Sequence, residues 1–406
     1  MKTLTIAARQ VLRSRRRTFV TVAAMGFAGI TMIFYASLTE GFFGSMERLA
    51  LVTDTGDLQI HAEGYLDDPN LYARIESPDP IIAALEARGL SASPRLFGFG
   101  LAAAGTSSSG AVLRGVDLVR QPEVTLIHKA VKQGAWLDGK RPNDVVIGRK
   151  LARTLGVGLD SEIVFLSQDT QGFMANEIFK VRGILGTVSE VVDRAGIFIP
   201  QASFRALMGV ETGCHEIVVM RGDSNDDLEV ARAEVVSAAP GHDVKTWRKI
   251  LPTLAKMLEN SDAGMIIMIF ITYAAVAMVI LNAMLMGVFE RIREFGVMKA
   301  IGVPPWQVAA MIGFEALILA LMAAVIALAG GLPLSFYVQS VGIDLSAFLD
   351  GVTFGGVAVD PIWRPHVTLK TVLQPLAYLF FITIGAVVYP AIKAAIIRPV
   401  EAIRHN

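Results

Sequence analysis

Residues 134–140, GAWLDGK, have the glycine and lysine spacing of a phosphate-binding loop and are the first candidate for chemistry. Such a loop needs a following Ser or Thr to hold magnesium, and a helix N-terminus to receive the phosphates. Arg141 stands at the Ser/Thr position, and Pro142 and Asn143 follow where the helix should begin. We therefore assign no catalytic residue and expect no ATPase activity in this chain.

The histidines and the single cysteine offer no second chemical site. No two histidines have the i, i+4 spacing of a helical metal site, so we expect no metal. Cys214 is the only cysteine, which excludes internal disulfides. A buried, inert thiol is the favoured interpretation of Cys214, and an intermolecular bridge is the alternative.

The stretch 289–308, FERIREFGVMKAIGVPPWQV, gathers charges between two long apolar runs. Its apolar and charged residues alternate at helical spacing, which predicts an amphipathic helix that shows a charged face to a partner. From the residues alone, a solvated loop on the cytoplasmic side is an equally good interpretation. Gly302 would end the helix, and Pro304 and Pro305 would begin the next one.

The elements that must position this stretch are membrane helices. The chain is 53% hydrophobic and only 18% charged, with a mean hydropathy of +0.51, which excludes an ordinary soluble protein of 406 residues. Apolar runs of about 20 residues or more can cross a bilayer. We predict a polytopic α-helical membrane protein with four transmembrane helices at 18–44, 262–288, 306–334 and 371–392. A large α+β extracytoplasmic domain, 45–261, separates the first two helices.

The orientation follows from lysines and arginines, which resist translocation. They cluster in the N-terminal segment 1–17, in 289–305 and in the tail 393–406, whereas the loop 335–370 has only Arg364 and Lys370. Both termini and 289–305 are therefore expected in the cytoplasm. Residues 1–17 predict an amphipathic helix on the inner leaflet, or a simple polybasic stop. Arg16 and Arg17 imitate a twin-arginine signal, but the apolar run is too long for one.

The extracytoplasmic segment shows alternating strand and helix patterns. Short β-branched or alternating runs predict strands, and amphipathic runs closed by glycine or following proline predict helices. The strands are expected at 58–61, 145–147, 162–167, 178–184, 197–199, 215–220 and 243–247, and the helices at 149–155, 201–208 and 226–239.

Several motifs resemble one family. RIREFGVMKAIGVPPWQV at 291–308 resembles the signature loop of the FtsX-domain permeases, which include the lipoprotein-releasing permeases LolC and LolE and the membrane part of the MacB exporter. TGDLQIH at 55–61, IGRKL at 147–151 and FKVRGI at 179–184 resemble that family's periplasmic core domain. PAIKAA at 390–395 and RPVEA at 398–402 extend the likeness to the C-terminus. Pro304-Pro305 departs from the small or polar residues of many relatives.

The resemblance implies a mechanotransmission transporter in the bacterial inner membrane. Two permease chains, identical or homologous, would pair, and separate ABC ATPase subunits would bind ATP and Mg²⁺; this chain would bind no cofactor. Residues 289–301 would be the coupling helix, and Glu315 occupies the place of the family's intramembrane acid. The residues expected to couple to the ATPase are Phe289, Glu290, Arg291, Arg293, Glu294, Gly296, Lys299, Gly302 and Trp306.

Small residues on the first span, Ala24, Ala28 and Gly29, predict the face through which permease chains pair. Expected partners are the ATPase, a second permease chain, membrane lipids and a lipoprotein or amphiphilic cargo, with no nucleic acid. Lipoprotein release is favoured because the chain has no fused ATPase, as in LolC-like chains. The alternatives are export of amphiphilic peptides, drugs or lipids, FtsX-like regulation of a cell-wall hydrolase, and a sensor without an ATPase.

Overall fold

The computed structural model describes residues 9, 13–222, 227–349 and 351–397. The chain forms two compact units. The membrane unit comprises Met1–Phe43, Glu259–Leu345 and Ile362–Asn406, and the outer unit comprises Gly44–Leu258 and Ser346–Pro361. Most of the predicted N-terminal helix 1–17 and the motif 398–402 lie outside the described residues.

The helices follow in chain order. They are α1 (Arg15–Ala50), α2 (Pro78–Glu86), α3 (Gln121–Val124), α4 (Arg149–Leu155), α5 (Glu190–Ala195), α6 (Gln201–Met208), α7 (Leu228–Ala238), α8 (Trp247–Ile250), α9 (Pro252–Glu290), α10 (Ile292–Ala300), α11 (Pro305–Val341), α12 (Ser346–Leu349) and α13 (Leu369–Ile396). A π-helical turn, Leu51–Thr55, follows α1.

The strands alternate with these helices. They are β1 (Leu58–His61), β2 (Ser91–Ala104), β3 (Ser107–Val116), β4 (Val131–Gly134), β5 (Asp144–Ile147), β6 (Glu162–Gln168), β7 (Met174–Leu185), β8 (Gly196–Pro200), β9 (Glu216–Met220), β10 (Asp243–Thr246), β11 (Ile343–Asp344), β12 (Thr353–Phe354), β13 (Val357–Ala358) and β14 (Ile362–Trp363).

Among the described residues, α1, α9, α11 and α13 are long and apolar enough to cross a membrane. We call them the first to fourth membrane helices. Each contains the predicted apolar run and extends beyond it at both ends, because polar residues outside the run still continue the helix. The predicted loop 335–370 is divided: α11 continues to Val341, and Ser346–Pro361 belongs to the outer unit.

Small residues let the membrane helices approach closely. A Cβ atom added at Gly29 would lie 2.5 Å from the Cβ of Ala327, and one at Gly330 would lie 2.5 Å from Ile30 Cδ1. The backbones of the first and third membrane helices therefore approach each other closely, which small residues at the contact permit. The hydroxyl of Tyr273 donates to the carbonyl of Pro375 at 3.0 Å, which links the second and fourth membrane helices.

The outer unit is built on one large mixed sheet with the strand order β10-β1-β9-β2-β3-β8-β5-β7-β4, and β6 pairs with β2 and β7. The pairs β3–β8 and β5–β7 are parallel and the others antiparallel. Helices α2, α4, α6 and α7 bury apolar side chains against the core. The predicted strands and helices are confirmed within a few residues at each end, while the long hairpin β2–β3 was not predicted.

Two buried histidines of the outer unit, His61 and His215, lie beside the buried ion pair of Arg95 and Glu216. The backbone N–H of Phe97 donates to His215 Nδ1 at 3.0 Å, so the proton of the neutral ring is on Nε2, 3.3 Å from the carbonyl of Leu71. Arg95 Nη1 lies 3.2 Å from Glu216 Oε1. Burial lowers the pKa of His215 to about 4. The ring is therefore neutral at neutral pH.

Cys214 is fully buried and free, as predicted. Burial raises the pKa of its thiol well above the usual range. A thiol that does not ionise is a poor nucleophile, which agrees with the interpretation of a buried core residue.

Candidate coupling site of the membrane unit

The predicted coupling segment 289–301 is divided into two helical pieces. The second membrane helix continues through Phe289 and ends at Glu290, and Arg291 leaves helical geometry with φ −116° and ψ 16°. Helix α10 then runs over Ile292–Ala300. The sequence predicted one continuous helix because no proline or glycine marks the break at Arg291.

The exit from α10 follows the predicted signals. Gly302 has φ +95°, a left-handed conformation in which only glycine is free of strain. Its backbone N–H donates to the carbonyl of Lys299 at 3.1 Å, and that of Val303 donates to Met298 at 3.0 Å, which closes the last turn. Pro304 is the N-cap residue of the third membrane helix, and Pro305 is its first residue.

Helix α10 has one face fixed in the membrane unit and one face exposed. Phe295 and Gly296 are buried, and Met298 packs against the core of the unit. The opposite face exposes both charged and apolar side chains. The exposed residues are Arg293, Glu294 and Val297 on the helix, and Ile301 and Trp306 just after it.

Four charged residues on the inner side of α10 form a network of ion pairs. Arg17 Nη1 donates to Glu290 Oε2 at 2.8 Å, and Arg17 Nη2 lies 3.6 Å from Glu315 Oε1. Arg291 Nη1 donates to Glu315 Oε2 at 3.3 Å. Glu315 is only 5% exposed. Two arginines and two glutamates balance in charge, so the acid within the third membrane helix is paired from two sides.

Local details hold the two arginines in place. A Cβ atom added at Gly287 would lie 2.8 Å from Arg17 Nη1, so the missing side chain makes room for that guanidinium. The guanidinium of Arg291 lies 5.1 Å from the ring centroid of Phe295, a cation–π distance. The network thus joins the ends of the first and second membrane helices to α10 and the third.

Lys299 closes the other side of α10. Its Nζ donates to the carbonyls of Ala395 and Ile397, both at 2.6 Å. These carbonyls stand at the C-terminal end of the fourth membrane helix, where they have no partner inside the helix and where the helix dipole favours a cation. Lys299 is therefore a cap that attaches α10 to the fourth membrane helix.

The predicted coupling residues separate into two groups. Those that face outward keep the prediction that they contact an ATPase; they are Phe289, Arg293, Glu294, Gly302 and Trp306. The remaining ones are bonded or buried within the membrane unit; they are Arg291, Gly296, Lys299 and Glu290, whose side chain is bonded to Arg17 although it is 51% exposed. Glu315 lies with the second group.

The predicted pairing face on the first membrane helix makes contacts within the same chain. Ala28 is buried, and Gly29 lies against Ala327 of the third membrane helix of the same chain. Ala24 is partly exposed on the same helix. The small residues thus serve packing within one chain, a use that the sequence cannot distinguish from packing between chains. Pairing with a second chain through Ala24, Ala28 and Gly29 stays a prediction.

Sequence reasoning missed Arg17 and Gly287. Arg17 was interpreted only as one of the positive charges that keep the N-terminus inside, and the pair with Glu290 joins positions 273 residues apart. The available signal was the coincidence of an arginine at the start of the first membrane helix with acids at Glu290 and Glu315. Arg13 also lies 3.6 Å from Glu294, but both side chains are largely exposed.

The phosphate-loop-like segment has no phosphate-binding geometry. After Lys140, whose N–H donates to Asp138 Oδ1 at 3.0 Å, the chain leads into strand β5 rather than a helix. In the ranges 13–222, 227–349 and 351–397, no group of three His, Cys, Asp or Glu side chains could hold a metal ion.

Comparisons with known proteins assign both units. The MacB-like periplasmic core domain matches residues 18–238, more than half of the chain, and the FtsX-like permease C-terminal domain matches residues 266–399. The large α+β domain between the first and second membrane helices is thus a periplasmic core domain.

The chain is similar to individual relatives over different parts of its length. The lipoprotein-releasing system transmembrane protein LolC of Xylella fastidiosa is 22% identical over 97% of this chain and 97% of its own. The macrolide export ATP-binding/permease protein MacB of Chlorobium phaeobacteroides is 32% identical over 31% of this chain and 16% of its own. The crystal structure of the periplasmic region of MacB from Actinobacillus actinomycetemcomitans aligns with 52% of this chain and 96% of its own, at 14% identity and a TM-score of 0.37. The chain belongs to the LolC/MacB-like family of ABC transporter permeases.

Proposed function

We propose that this chain is the membrane subunit of a transporter that releases lipoproteins from the inner membrane, driven by ATP hydrolysis in separate ATPase chains. The support for this cargo is the length of the match: the LolC relative aligns over 97% of both chains, whereas MacB aligns over 16% of its own length. ATP and Mg²⁺ would bind the ATPase, and this chain would perform no catalysis.

The proposed orientation places α10 and both termini in the cytoplasm. Arg13, Arg17, Arg291, Arg293 and Lys299 all lie in the segments that flank the membrane helices on one side. The positive-inside rule assigns that side to the cytoplasm. The chain is then a multi-pass protein whose α10 faces the compartment that contains ATP.

The observation that carries the proposal is that α10 has one exposed face and one face bonded to the membrane helices. Its outward face carries Arg293, Glu294 and Val297, with Ile301 and Trp306 just beyond, a mixture of charge and apolar surface that suits a protein interface. Its inner side is attached to the membrane helices through the ion network and the Lys299 cap. A displacement imposed on the outward face would therefore reach all four membrane helices.

A second candidate cargo has one observation in its favour. The 32% identity to a macrolide exporter is higher than the 22% identity to LolC, although it covers only 31% of this chain. The same coupling site would then drive export of an amphiphilic small molecule. In both cases we propose that two permease chains, identical or homologous, act together.

The experiment is co-reconstitution of the chain with its ATPase, and with a second permease chain where the genes adjoin, in liposomes that contain a fluorescent lipoprotein. We expect ATP-dependent appearance of the lipoprotein in an aqueous phase that holds a soluble acceptor, and none with an ATPase variant that cannot hydrolyse ATP. Export of an amphiphilic dye with the lipoprotein retained would support the second cargo. If the ATPase is bound and yet neither the lipoprotein nor the dye is transported, both proposed cargoes are contradicted.

A further inference from the structure

The chain between the third and fourth membrane helices is longer than a connection requires. It spans residues 342–368, whereas a connection between two helices usually takes about two to eight residues. Part of it belongs to the outer unit. We call residues 351–361 the strap; it contains the short hairpin β12–β13.

The strap is bonded to the outer unit through its backbone. Ser189 and Val357 form an antiparallel bridge. The N–H of Glu190 donates to the carbonyl of Gly356 at 2.9 Å, and the N–H of Ala358 donates to that of Val188 at 3.1 Å. Val357 and Ala358 are buried, so these hydrogen bonds are shielded from water.

Glu190 is the centre of the side-chain contacts. Its carboxylate accepts hydrogen bonds from Lys150 Nζ, from Arg194 Nε and, at 2.9 Å, from Thr353 Oγ1 of the strap. The hydrogen bond from Lys150, followed by that from Thr353, lowers the pKa of Glu190 to about 2. The carboxylate is therefore charged at any physiological pH, and three donors hold it in one position.

Two glycines fit the strap against its neighbours. Arg149 Nη2 donates to the carbonyl of Gly351 at 2.9 Å, and a Cβ atom added at Gly351 would collide with that guanidinium. A Cβ atom added at Gly355 would lie 2.8 Å from Met257 Sδ. Both glycines have positive φ, +80° and +63°. The backbone conformation of the strap therefore fits its close contacts with the outer unit.

We propose that the strap is a permanent attachment by which the periplasmic domain moves together with the third and fourth membrane helices, and that Glu190 is its positioning residue. The chain already joins this domain to the first and second membrane helices. The strap lies within the outer-unit segment Ser346–Pro361, and the chain before and after this segment leads to the third and fourth membrane helices. The inference rests on the proposed function for its role in transport, but the attachment itself can be measured without an ATPase.

The first test is hydrogen exchange of the whole chain in lipid nanodiscs, followed on peptides that cover 351–361 and 362–368. We expect slow exchange in the natural chain and at least about tenfold faster exchange in both peptides in Glu190→Ala with Thr353→Val. The matched control is Glu162→Ala, an exposed carboxylate for which no ion pair is seen among the described residues. Unchanged exchange in the double variant would overturn the proposal.

The second test restores the attachment covalently. The hydrogen bonds that flank Ser189 and Val357 make them a non-hydrogen-bonded pair, whose Cα atoms lie about 4.5 Å apart, within the range for a disulfide. We expect Ser189→Cys with Val357→Cys to form a disulfide at high yield. Buried Cys214 should not compete with it.

In the co-reconstituted transporter, Glu190→Ala should lower ATP-driven release several-fold while the ATPase stays bound. The oxidised cysteine pair in the Glu190→Ala background should restore release, and reduction should abolish it again. Full release by Glu190→Ala, or no recovery after oxidation, would overturn the proposal. If the natural chain binds no ATPase, the proposed function fails, whereas the exchange and disulfide measurements still decide the attachment.

Discussion

Arg291 Nη1 donates a hydrogen bond to Glu315 Oε2 at 3.3 Å, between the residue that separates α9 from α10 and an acid inside the third membrane helix. Arg17 lies 3.6 Å from the other oxygen of the same carboxylate. The acid that the resemblance placed inside the third membrane helix is thus the shared partner of two arginines. This pairing connects the start of α10 directly to the third membrane helix.

Glu315→Gln should test the charge of that carboxylate. Removing one partner of a buried ion pair typically costs about 3–5 kcal/mol, because the other charge stays buried without compensation. We expect a lower melting temperature of the chain in nanodiscs and weaker stimulation of the bound ATPase. Full stability and full transport by the Glu315→Gln variant would mean that the charge is unnecessary.

The matched control for that variant is Glu294→Gln. Glu294 lies 3.6 Å from Arg13, but the Arg13 side chain is 82% exposed, and exposed pairs contribute under about 1 kcal/mol. The melting temperature of this variant should equal that of the natural chain. A loss as large as that of Glu315→Gln would show that burial is not the cause.

Glu290→Lys and Glu294→Lys should have separable effects. Glu290 is bonded to Arg17, whose side chain is only 19% exposed, so its reversal replaces this ion pair with two neighbouring cations and should lower both stability and ATPase binding, although the Glu290 side chain itself is 51% exposed. Glu294 is on the outward face of α10, so its reversal should weaken ATPase binding and leave the melting temperature unchanged. Co-purification and thermal unfolding of the single variants measure the two effects. Equal melting temperatures of the two variants would contradict the assignment of Glu290 to the ion network and of Glu294 to the outward face.

Lys299→Met should loosen the end of the fourth membrane helix. The variant keeps the length of the side chain but loses the charged donor to the carbonyls of Ala395 and Ile397, worth about 1.5–3 kcal/mol. We expect faster hydrogen exchange over residues 391–397 and a partial loss of coupling. Arg293→Met, at an exposed position of the same helix, is the control and should leave that exchange unchanged.

How much of this could be predicted from the sequence depends on the range of the interactions. The membrane helices follow from hydropathy, and strands such as Leu58–His61 follow from local alternation, so both were predicted. The hairpin β2–β3 was missed because small residues and glycines, as in LAAAGTSSSG at 101–110, give no periodic apolar signal.

The site was predicted only in part, for the same reason. The charges and the Gly302–Pro305 turn identify α10 as a surface element. The division of its charges between inner network and outer face depends on Arg17, Glu315 and Ala395, which lie far away in the sequence. Likewise, small residues at Ala28 and Gly29 indicate close packing, but no local pattern says which helix they meet.

The outer unit should lose stability as the pH falls from about 6.5 to 4. An unfolded histidine takes up a proton near pH 6.5, whereas burial lowers the pKa of His215 in the folded unit to about 4. Between these values the unfolded state binds more protons, so stability decreases by about 1.4 kcal/mol for each pH unit per histidine. Burial, opposed by Glu216, also lowers the pKa of His61, which adds to the effect.

The measurement is the pH dependence of hydrogen exchange in strands β1 and β9 of the whole chain. In His215→Gln the slope between pH 6.5 and 4.5 should be smaller, whatever the stability of that variant at pH 7. His242→Gln, a partly exposed histidine of the same unit, should keep the natural slope. A natural chain with constant protection over this range would contradict the account of the buried histidines.

The central claim is that the outward face of α10 docks on an ATPase, and photo-crosslinking tests it most directly. A photoreactive amino acid at Ile301, which is 77% exposed, or at Val297 should form a covalent adduct with the ATPase subunit in the assembled complex. The same amino acid at Phe381, which is 68% exposed on the fourth membrane helix, should form none. If the ATPase co-purifies with the chain and yet neither Ile301 nor Val297 crosslinks to it, α10 is not the coupling helix.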